Sequence, residues 1–178
     1  FNLKFGGDFR QIKNYTYFDT LSLPAQDTNL LTIKTLYLKK TFNFKPFVLD
    51  LNLYYQLVNN QDVLHIPQYS AYASFFTDFS LFKGALLINF GVDTYYYSKF
   101  NTYRYNPSLG MFYLANNRIS GNYPIFNIFL SGKIKSATVI VRLDNAAGWL
   151  LNPYHETVEH YHISDFYIRF GVHWWFKN

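Results

Sequence analysis

Apolar and polar side chains alternate one by one along much of this chain, most clearly at its C-terminal end. Between Asp165 and Asn178 every second residue is apolar, and the residues between them are mixed and charged. A period of two predicts a β-strand with one face in an apolar medium and the other facing water. The stretch exceeds the ~5–6 residues of a typical soluble strand and is close to the ~9–11 that span a bilayer. We therefore predict a membrane strand whose lipid-facing residues are Phe166, Ile168, Phe170, Val172, Trp174 and Phe176.

The same alternation recurs upstream and predicts about eight strands. In approximate bounds they cover residues 1–17, 29–40, 47–57, 70–81, 86–97, 112–134, 137–144 and 165–178. In the second strand the apolar phase slips between Ile33 and Leu36, which predicts a β-bulge near Lys34 and Thr35. The sixth strand is broken at Gly121 and Asn122.

The predicted strands are joined by short and long connections in turn. Short turns fall near residues 43, 83 and 135, and longer loops near residues 24, 63, 104 and 155. Outer-membrane barrels alternate short periplasmic turns with longer external loops, and backbone in lipid must satisfy its hydrogen bonds internally. We therefore predict an all-β fold over residues 1–178: a transmembrane, antiparallel, up-and-down β-barrel.

Composition narrows the classes of function. The chain is 49% hydrophobic, yet its mean hydropathy is only −0.10, as expected when apolar and polar residues are interleaved. No run approaches the ~18 apolar residues of a membrane helix. The absence of cysteine excludes disulfides and thiolate metal sites. Lysines and arginines are scattered rather than clustered, which argues against a nucleic-acid partner.

The charged and ionisable residues of the water-facing phase are the candidate functional residues. They line the predicted lumen and are Lys4, Asp8, Arg10, Asp50, Asp78, Asp93, Lys133, Arg142, Asp144, Arg169 and His173. Two interpretations stay open for them. They form a polar pore wall that sets ion preference, or they pair across strands and hold a narrow lumen together. Their mixed signs argue against strong selectivity.

A cluster of histidines and glutamates near residues 155–162 is the densest ligand-like group. The spacing of His155, Glu156, Glu159, His160 and His162 fails the zinc-protease patterns, and the cluster falls in a predicted loop. We expect a solvated loop, with no metal and no cofactor. No nucleophile–base pair is evident either, so no enzymatic activity is expected.

Several stretches resemble the C-terminal half of the "Putative porin" family of Bacteroidetes outer membranes. They appear in the family's order and are 17–19 (YFD), 62–67 (DVLHIP), 105–113 (YNPSLGMFY), 121–124 (GNYP) and 168–174 (IRFGVHW). The resemblance implies an outer-membrane β-barrel for passive solute passage, in contact with membrane lipid and lipopolysaccharide. It also implies insertion by the barrel-assembly machinery, whose C-terminal signal the chain's ending resembles, and other outer-membrane proteins as further partners.

The resemblance and the pattern together indicate the C-terminal part of a larger barrel, incomplete at its N-terminal side. Phe1 begins within an alternating strand. The water-facing phase also carries small residues such as Gly6 and Gly91, which fit beside a wide, wet lumen or a plug.

Three functions follow from these observations, in decreasing order of support. The first is a porin-like outer-membrane channel for small solutes. The second is a non-conducting structural β-barrel subunit of a larger outer-membrane complex. The third is a soluble, lipocalin-like binder, which would require the apolar phase to face a ligand cavity.

Overall fold

The structure is a computed structural model that describes residues 3–151 and 155–176, without the side chain of Trp149. A short 3₁₀ segment, Phe82–Gly84, and one four-residue helix, α1 (Gly148–Leu151), are its helical elements in the described chain. The strands are β1 (Leu3–Ile12), β2 (Tyr15–Phe18), β3 (Pro24–Asp27), β4 (Leu31–Phe44), β5 (Phe47–Val58), β6 (Tyr69–Leu81), β7 (Leu86–Tyr97), β8 (Phe100–Asn106), β9 (Met111–Ser120), β10 (Ile125–Ile134), β11 (Ala137–Asp144), β12 (Glu156–Val158), β13 (Tyr161–His162) and β14 (Tyr167–Trp174).

Eight of these strands form one antiparallel sheet in the order β1-β4-β5-β6-β7-β10-β11-β14. Each strand pairs with the next sheet strand along the chain, so the topology is up-and-down, and the predicted all-β fold with about eight strands is confirmed. Strands β1 and β14 form the two edges and are not paired with each other in the described chain. The sheet is therefore open.

The other strands form three two-stranded hairpins, β2–β3, β8–β9 and β12–β13. The predicted loops near residues 24, 104 and 155 were therefore wrong in part, because each contains paired backbone. The predicted strand 112–134 is in fact two strands, of which only β10 joins the sheet. The predicted first strand ends early as well, because the chain bends at Lys13 and Asn14, where φ of Asn14 is 57°, and Tyr15 begins a hairpin.

The predicted bulge in β4 is wrong. Strand β4 pairs without a register shift with β1 on one side and with β5 on the other. The apolar phase slips because Ile33 faces the same side as Arg10 and Tyr54, where it lines a cavity together with Leu64 and Ile66. Because Ile33 is an apolar residue on the polar side, next to a loop, it shifts the apolar phase of the sequence in the same way as a bulge would.

The buried apolar residues of the described chain lie among the long connections, apart from Leu31 at the start of β4. They are Leu31, Val63, Leu114, Ala115 and Tyr123. We call residues 13–30, 59–68, 98–124 and the described part of 145–166 the connection layer. Leu31, the first residue of β4, lies directly at its border. In contrast, the apolar side of the sheet is exposed: Phe5 and Phe170 each keep 78% of their accessible surface.

Two glycines of the sheet make room for aromatic rings of neighbouring strands. A Cβ at Gly6 would lie 2.6 Å from the Tyr37 hydroxyl, and one at Gly91 would lie 2.7 Å from the Phe129 ring. Rings therefore fill the space directly beside these two glycines, while a wide lumen or a plug beyond them stays a prediction. Strand glycine commonly marks such a close approach.

The Gly91→Ala substitution tests this packing. A Cβ there would meet the Phe76 Cβ at 2.5 Å and the Phe75 carbonyl oxygen at 2.6 Å, so a side-chain rotation alone cannot relieve the clash. We expect a loss of about 1–3 kcal/mol in the free energy of unfolding in detergent. Gly171→Ala is the matched control, because its Cβ would come only to 4.0 Å from its nearest neighbour, the Cβ of Ile140. Equal stability of the two variants would contradict the packing.

Candidate functional site

One face of the sheet carries all eleven residues predicted to line the lumen. The register is continuous from Lys4 to Lys39, Asn52 and Tyr72 across β1, β4, β5 and β6, and cross-strand partners lie on the same side of a sheet. The pairing continues without a register shift through β7, β10, β11 and β14, so the predicted residues of these strands lie on the same side of the sheet. We call this side the polar face and the opposite side the apolar face. The role of the eleven residues as a pore lining stays a prediction.

Four of the eleven come together as an ion cluster of Asp93, Arg142, Asp144 and Arg169. The Arg142 side chain contacts Asp93 through Nη1 at 3.0 Å and Asp144 through Nε at 2.8 Å. The Nε of Arg169 donates a hydrogen bond to the other oxygen of Asp144. Since β10 lies between β7 and β11, the Arg142 side chain reaches across a whole strand to make its contact with Asp93.

The carboxylates of the ion cluster have further partners. Asp93 accepts hydrogen bonds from the Ser74 hydroxyl at 2.8 Å and the Tyr72 hydroxyl at 3.2 Å. Both aspartates are buried, with side chains 9% exposed. Buried charge is tolerated when it is paired and hydrogen-bonded. For these four residues the geometry favours the interpretation of cross-strand pairing.

The other predicted residues of the polar face are separate from this cluster. Asp8 and Arg10 form an exposed ion pair on β1. The carboxylate of Asp78 accepts a hydrogen bond from the Asn89 side chain, and Lys133 lines the same cavity as both. On β14, His173 is exposed and lies edge-on to the Trp175 ring, with 4.9 Å between ring centroids.

Lys4 and Asp50, the last two of the eleven, line cavities near the β1 edge of the polar face. One cavity of about 540 Å³ is lined by both residues, together with Lys39 and Tyr72. A second, of about 620 Å³, has Leu64 and Ile66 of the loop between β5 and β6 in its wall. This loop therefore reaches the polar face, and it narrows the space in front of β4 and β5.

The apolar face holds four of the six predicted lipid-facing residues, namely Ile168, Phe170, Val172 and Trp174. All four are exposed, and their cross-strand partners on β11 are Leu143, Val141, Val139 and Ala137. The predicted strand was too long, because β14 ends at Trp174. Phe166 and Phe176 flank it and are also exposed, and the Phe176 ring stacks on that of Trp174 at 6.0 Å. Contact of these residues with lipid stays a prediction.

The histidine-rich segment is tied into the connection layer. The His155 ring stacks on Tyr123 with 4.5 Å between centroids, and burial lowers its pKa. Glu159 accepts two hydrogen bonds from the Arg104 guanidinium, and this lowers the pKa of the carboxyl group. Among the described residues, no group of three or more His, Cys, Asp or Glu side chains is placed to hold a metal ion. That the segment binds no metal stays a prediction.

The residues that position the connection layer were not identified from spacing. His65 is buried, its backbone N–H donates to the Tyr103 hydroxyl at 3.0 Å, and its Nδ1 lies 3.0 Å from the Thr102 carbonyl oxygen. The Thr102 hydroxyl donates to the carbonyl oxygen of Thr157 at 2.7 Å. These contacts join segments that are far apart in sequence, so spacing along the chain does not reveal them. The stretch 62–67, which contains His65 and carries part of the family resemblance, was the available sign that this loop matters.

The family model described as "Putative porin" matches residues 1–178, the whole chain. A search of the curated proteins finds no match. Among the described residues, no helix has the length and apolar character needed to cross a membrane.

The ion cluster gives a prediction about stability. Arg142→Gln removes the shared partner of two buried aspartates, so we expect a loss of about 3 kcal/mol in the free energy of unfolding. Arg169→Gln leaves Asp144 paired with Arg142 and removes a side chain that is 56% exposed, so a loss of about 1 kcal/mol or less is expected. Urea unfolding in detergent at neutral pH compares the two. A larger loss for Arg169→Gln would contradict the geometry.

Proposed function

The chain belongs to the "Putative porin" family, and from this membership we propose that it forms part of an outer-membrane β-barrel through which small solutes pass passively. The polar face is then the wall of the passage and the apolar face contacts lipid. The proposed role is transport without catalysis. The proposed partners are membrane lipid and lipopolysaccharide, the barrel-assembly machinery during insertion, and other outer-membrane proteins.

The single observation that carries the proposal is the two-faced sheet. Burying a large aliphatic or aromatic side chain stabilises a protein by about 1.5–3 kcal/mol, yet the apolar face exposes a continuous series of such side chains. On β1 and β14 alone they are Leu3, Phe5, Phe9, Ile168, Phe170, Val172 and Trp174. Soluble monomers rarely expose so large an apolar surface. An apolar medium around the sheet removes this cost.

The open edges support a closed arrangement in the membrane. Within the part of the chain that the structure describes, strands β1 and β14 each have backbone donors and acceptors without a strand partner on one side. In hydrocarbon each unsatisfied backbone group costs several kcal/mol, so spanning sheets are closed. The proposal therefore includes hydrogen bonding of both edges within a complete barrel.

The packed connection layer favours a second candidate, a non-conducting structural barrel in a larger outer-membrane complex. Leu64 and Ile66 reach the polar face, and the ion cluster of Asp93, Arg142, Asp144 and Arg169 joins four positions on it by paired charge. The narrowed space in front of the polar face and the paired charges on that face fit a closed lumen as well as an open passage. The two candidates differ in conductance.

Planar-bilayer recording of the full-length protein separates the two candidates. We expect stepwise conductance that increases with salt concentration, as for a water-filled passage. Buffer with detergent alone is the control. Because Leu64 and Ile66 narrow the space above β4 and β5, the double change Leu64→Ser and Ile66→Ser should increase the step size. Inserted, folded protein without any conductance steps would favour the structural barrel and refute the channel.

Adjacent positions on β14 test which face contacts lipid. Phe170→Arg places a charge on the apolar face and should cost about 2–4 kcal/mol near the bilayer midplane. Gly171→Arg places the same charge on the polar face, where a Cβ finds its nearest neighbour at 4.0 Å, and should cost much less. Reversible unfolding in lipid vesicles measures both. Similar losses at the two positions would contradict the assignment of the faces.

A further inference from the structure

The polar face near β1 carries two lysines, Lys4 and Lys39. Among the described residues, neither forms an ion pair with a carboxylate. Lys4 on β1 and Lys39 on β4 are direct cross-strand partners, and both line the 540 Å³ and the 620 Å³ cavities described above. Both lysines therefore border both cavities. Their position gives any solute in either cavity access to two positive charges.

The two lysines carry like charges at directly opposite positions of neighbouring strands. Like charges directly opposite each other on neighbouring strands destabilise a sheet. In the part of the chain that the structure describes, neither Lys4 nor Lys39 has a carboxylate oxygen within 4.0 Å. The arginines of the ion cluster, by contrast, are both paired with aspartates. An anion bound between the lysines would offset their repulsion.

The surroundings of the two lysines indicate what else the anion carries. The Nζ of Lys39 lies 5.7 Å from the Tyr54 ring centroid and 6.0 Å from that of Tyr37, so aromatic faces flank the charge. The cavity walls also hold polar groups suited to hydroxyls, namely Thr35, Thr41, Asp50, Asn52 and Gln56. Charge, ring faces and hydrogen-bonding groups on one wall are suited to a hydroxylated anion.

We propose that Lys4 and Lys39 form a binding subsite for small hydroxylated oxyanions of the sugar-phosphate class. The two ammonium groups hold the anionic oxygens, because charge-assisted hydrogen bonds are about twice as strong as neutral ones. The amide and hydroxyl groups of the walls bind the sugar hydroxyls, and Asp50 accepts a hydrogen bond from one of them. This proposal rests on the assignment of the polar face as the wall of a passage, and it names the class of solute that the wall retains.

Equilibrium binding to the full-length protein in detergent tests the subsite without relying on conductance. The probe is glucose 6-phosphate, with glucose as the uncharged comparison, and isothermal titration calorimetry is the measurement. We expect binding of glucose 6-phosphate and much weaker binding of glucose. The double variant Lys4→Gln and Lys39→Gln should bind glucose 6-phosphate at least about tenfold more weakly, since two charge-assisted contacts are lost. Lys39→Arg keeps the charge and should retain binding.

Lys34→Gln is the matched control, because Lys34 lies on the same strand but on the apolar face. It removes the same charge and should leave the affinity unchanged. Equal affinity of the double variant and the unchanged protein would overturn the proposal, as would equal affinity for glucose and glucose 6-phosphate. A protein that binds glucose 6-phosphate through the lysines but shows no conductance would refute the channel and leave the subsite intact. Conductance without binding of glucose 6-phosphate would overturn the subsite and leave the channel intact.

Discussion

Backbone hydrogen bonding between neighbouring strands is the interaction on which this fold depends, because none of the described residues forms a layer packed against the apolar face of the sheet. Leu3, Phe5 and Phe170 are exposed there, and the buried apolar residues of the described chain lie in the connection layer or, as Leu31 does, at its border. The eight strands are held by seven continuous ladders. Since side chains alternate with a period of two, a slip of one residue in any ladder would exchange the faces of that strand. The register therefore determines both which side chains form the apolar face and how the charged residues are arranged on the polar face.

The connection layer is stabilised differently, by buried side chains that join distant segments. Arg104 pairs with Glu159, which is only 4% exposed, and the Thr102 hydroxyl donates to the backbone at Thr157. Ser120 makes a similar bond to the carbonyl oxygen of Glu156. These contacts bring the β8–β9 and β12–β13 hairpins together. The long connections thus form a packed structure of their own, and the loop that carries Leu64 and Ile66 extends from it over the polar face.

Alternation in the sequence was sufficient to predict the strands of the sheet, since a sheet with one apolar and one polar face has a period of two. Alternation failed for the segments outside the sheet and where a loop covers the polar face. Strand β8 lies outside the sheet and mixes apolar with polar residues on both sides, so residues 98–109 were predicted as loop. Strand β9 was predicted as strand, but it was joined to β10 although it lies outside the sheet. Ile33 faces the polar side beneath a loop and was interpreted as part of a bulge. For the site, alternation placed Asp93 and Arg142 on one face, but their contact spans the intervening β10, and no spacing along the chain encodes it.

The position of Arg142 one strand inside the edge has a consequence for motion. Among the described strands of this sheet, β14 pairs with β11 alone, so it is, like β1, a strand that can peel away from one side. When it does, Arg169 leaves with it, but Arg142 still bridges Asp93 and Asp144, and no buried carboxylate loses its last cation. Fraying of β14 therefore exposes backbone hydrogen-bonding groups but leaves Asp93 and Asp144 paired with Arg142. In amide hydrogen exchange, β14 would open as a unit of its own, at a lower free energy than the strands from β4 to β11.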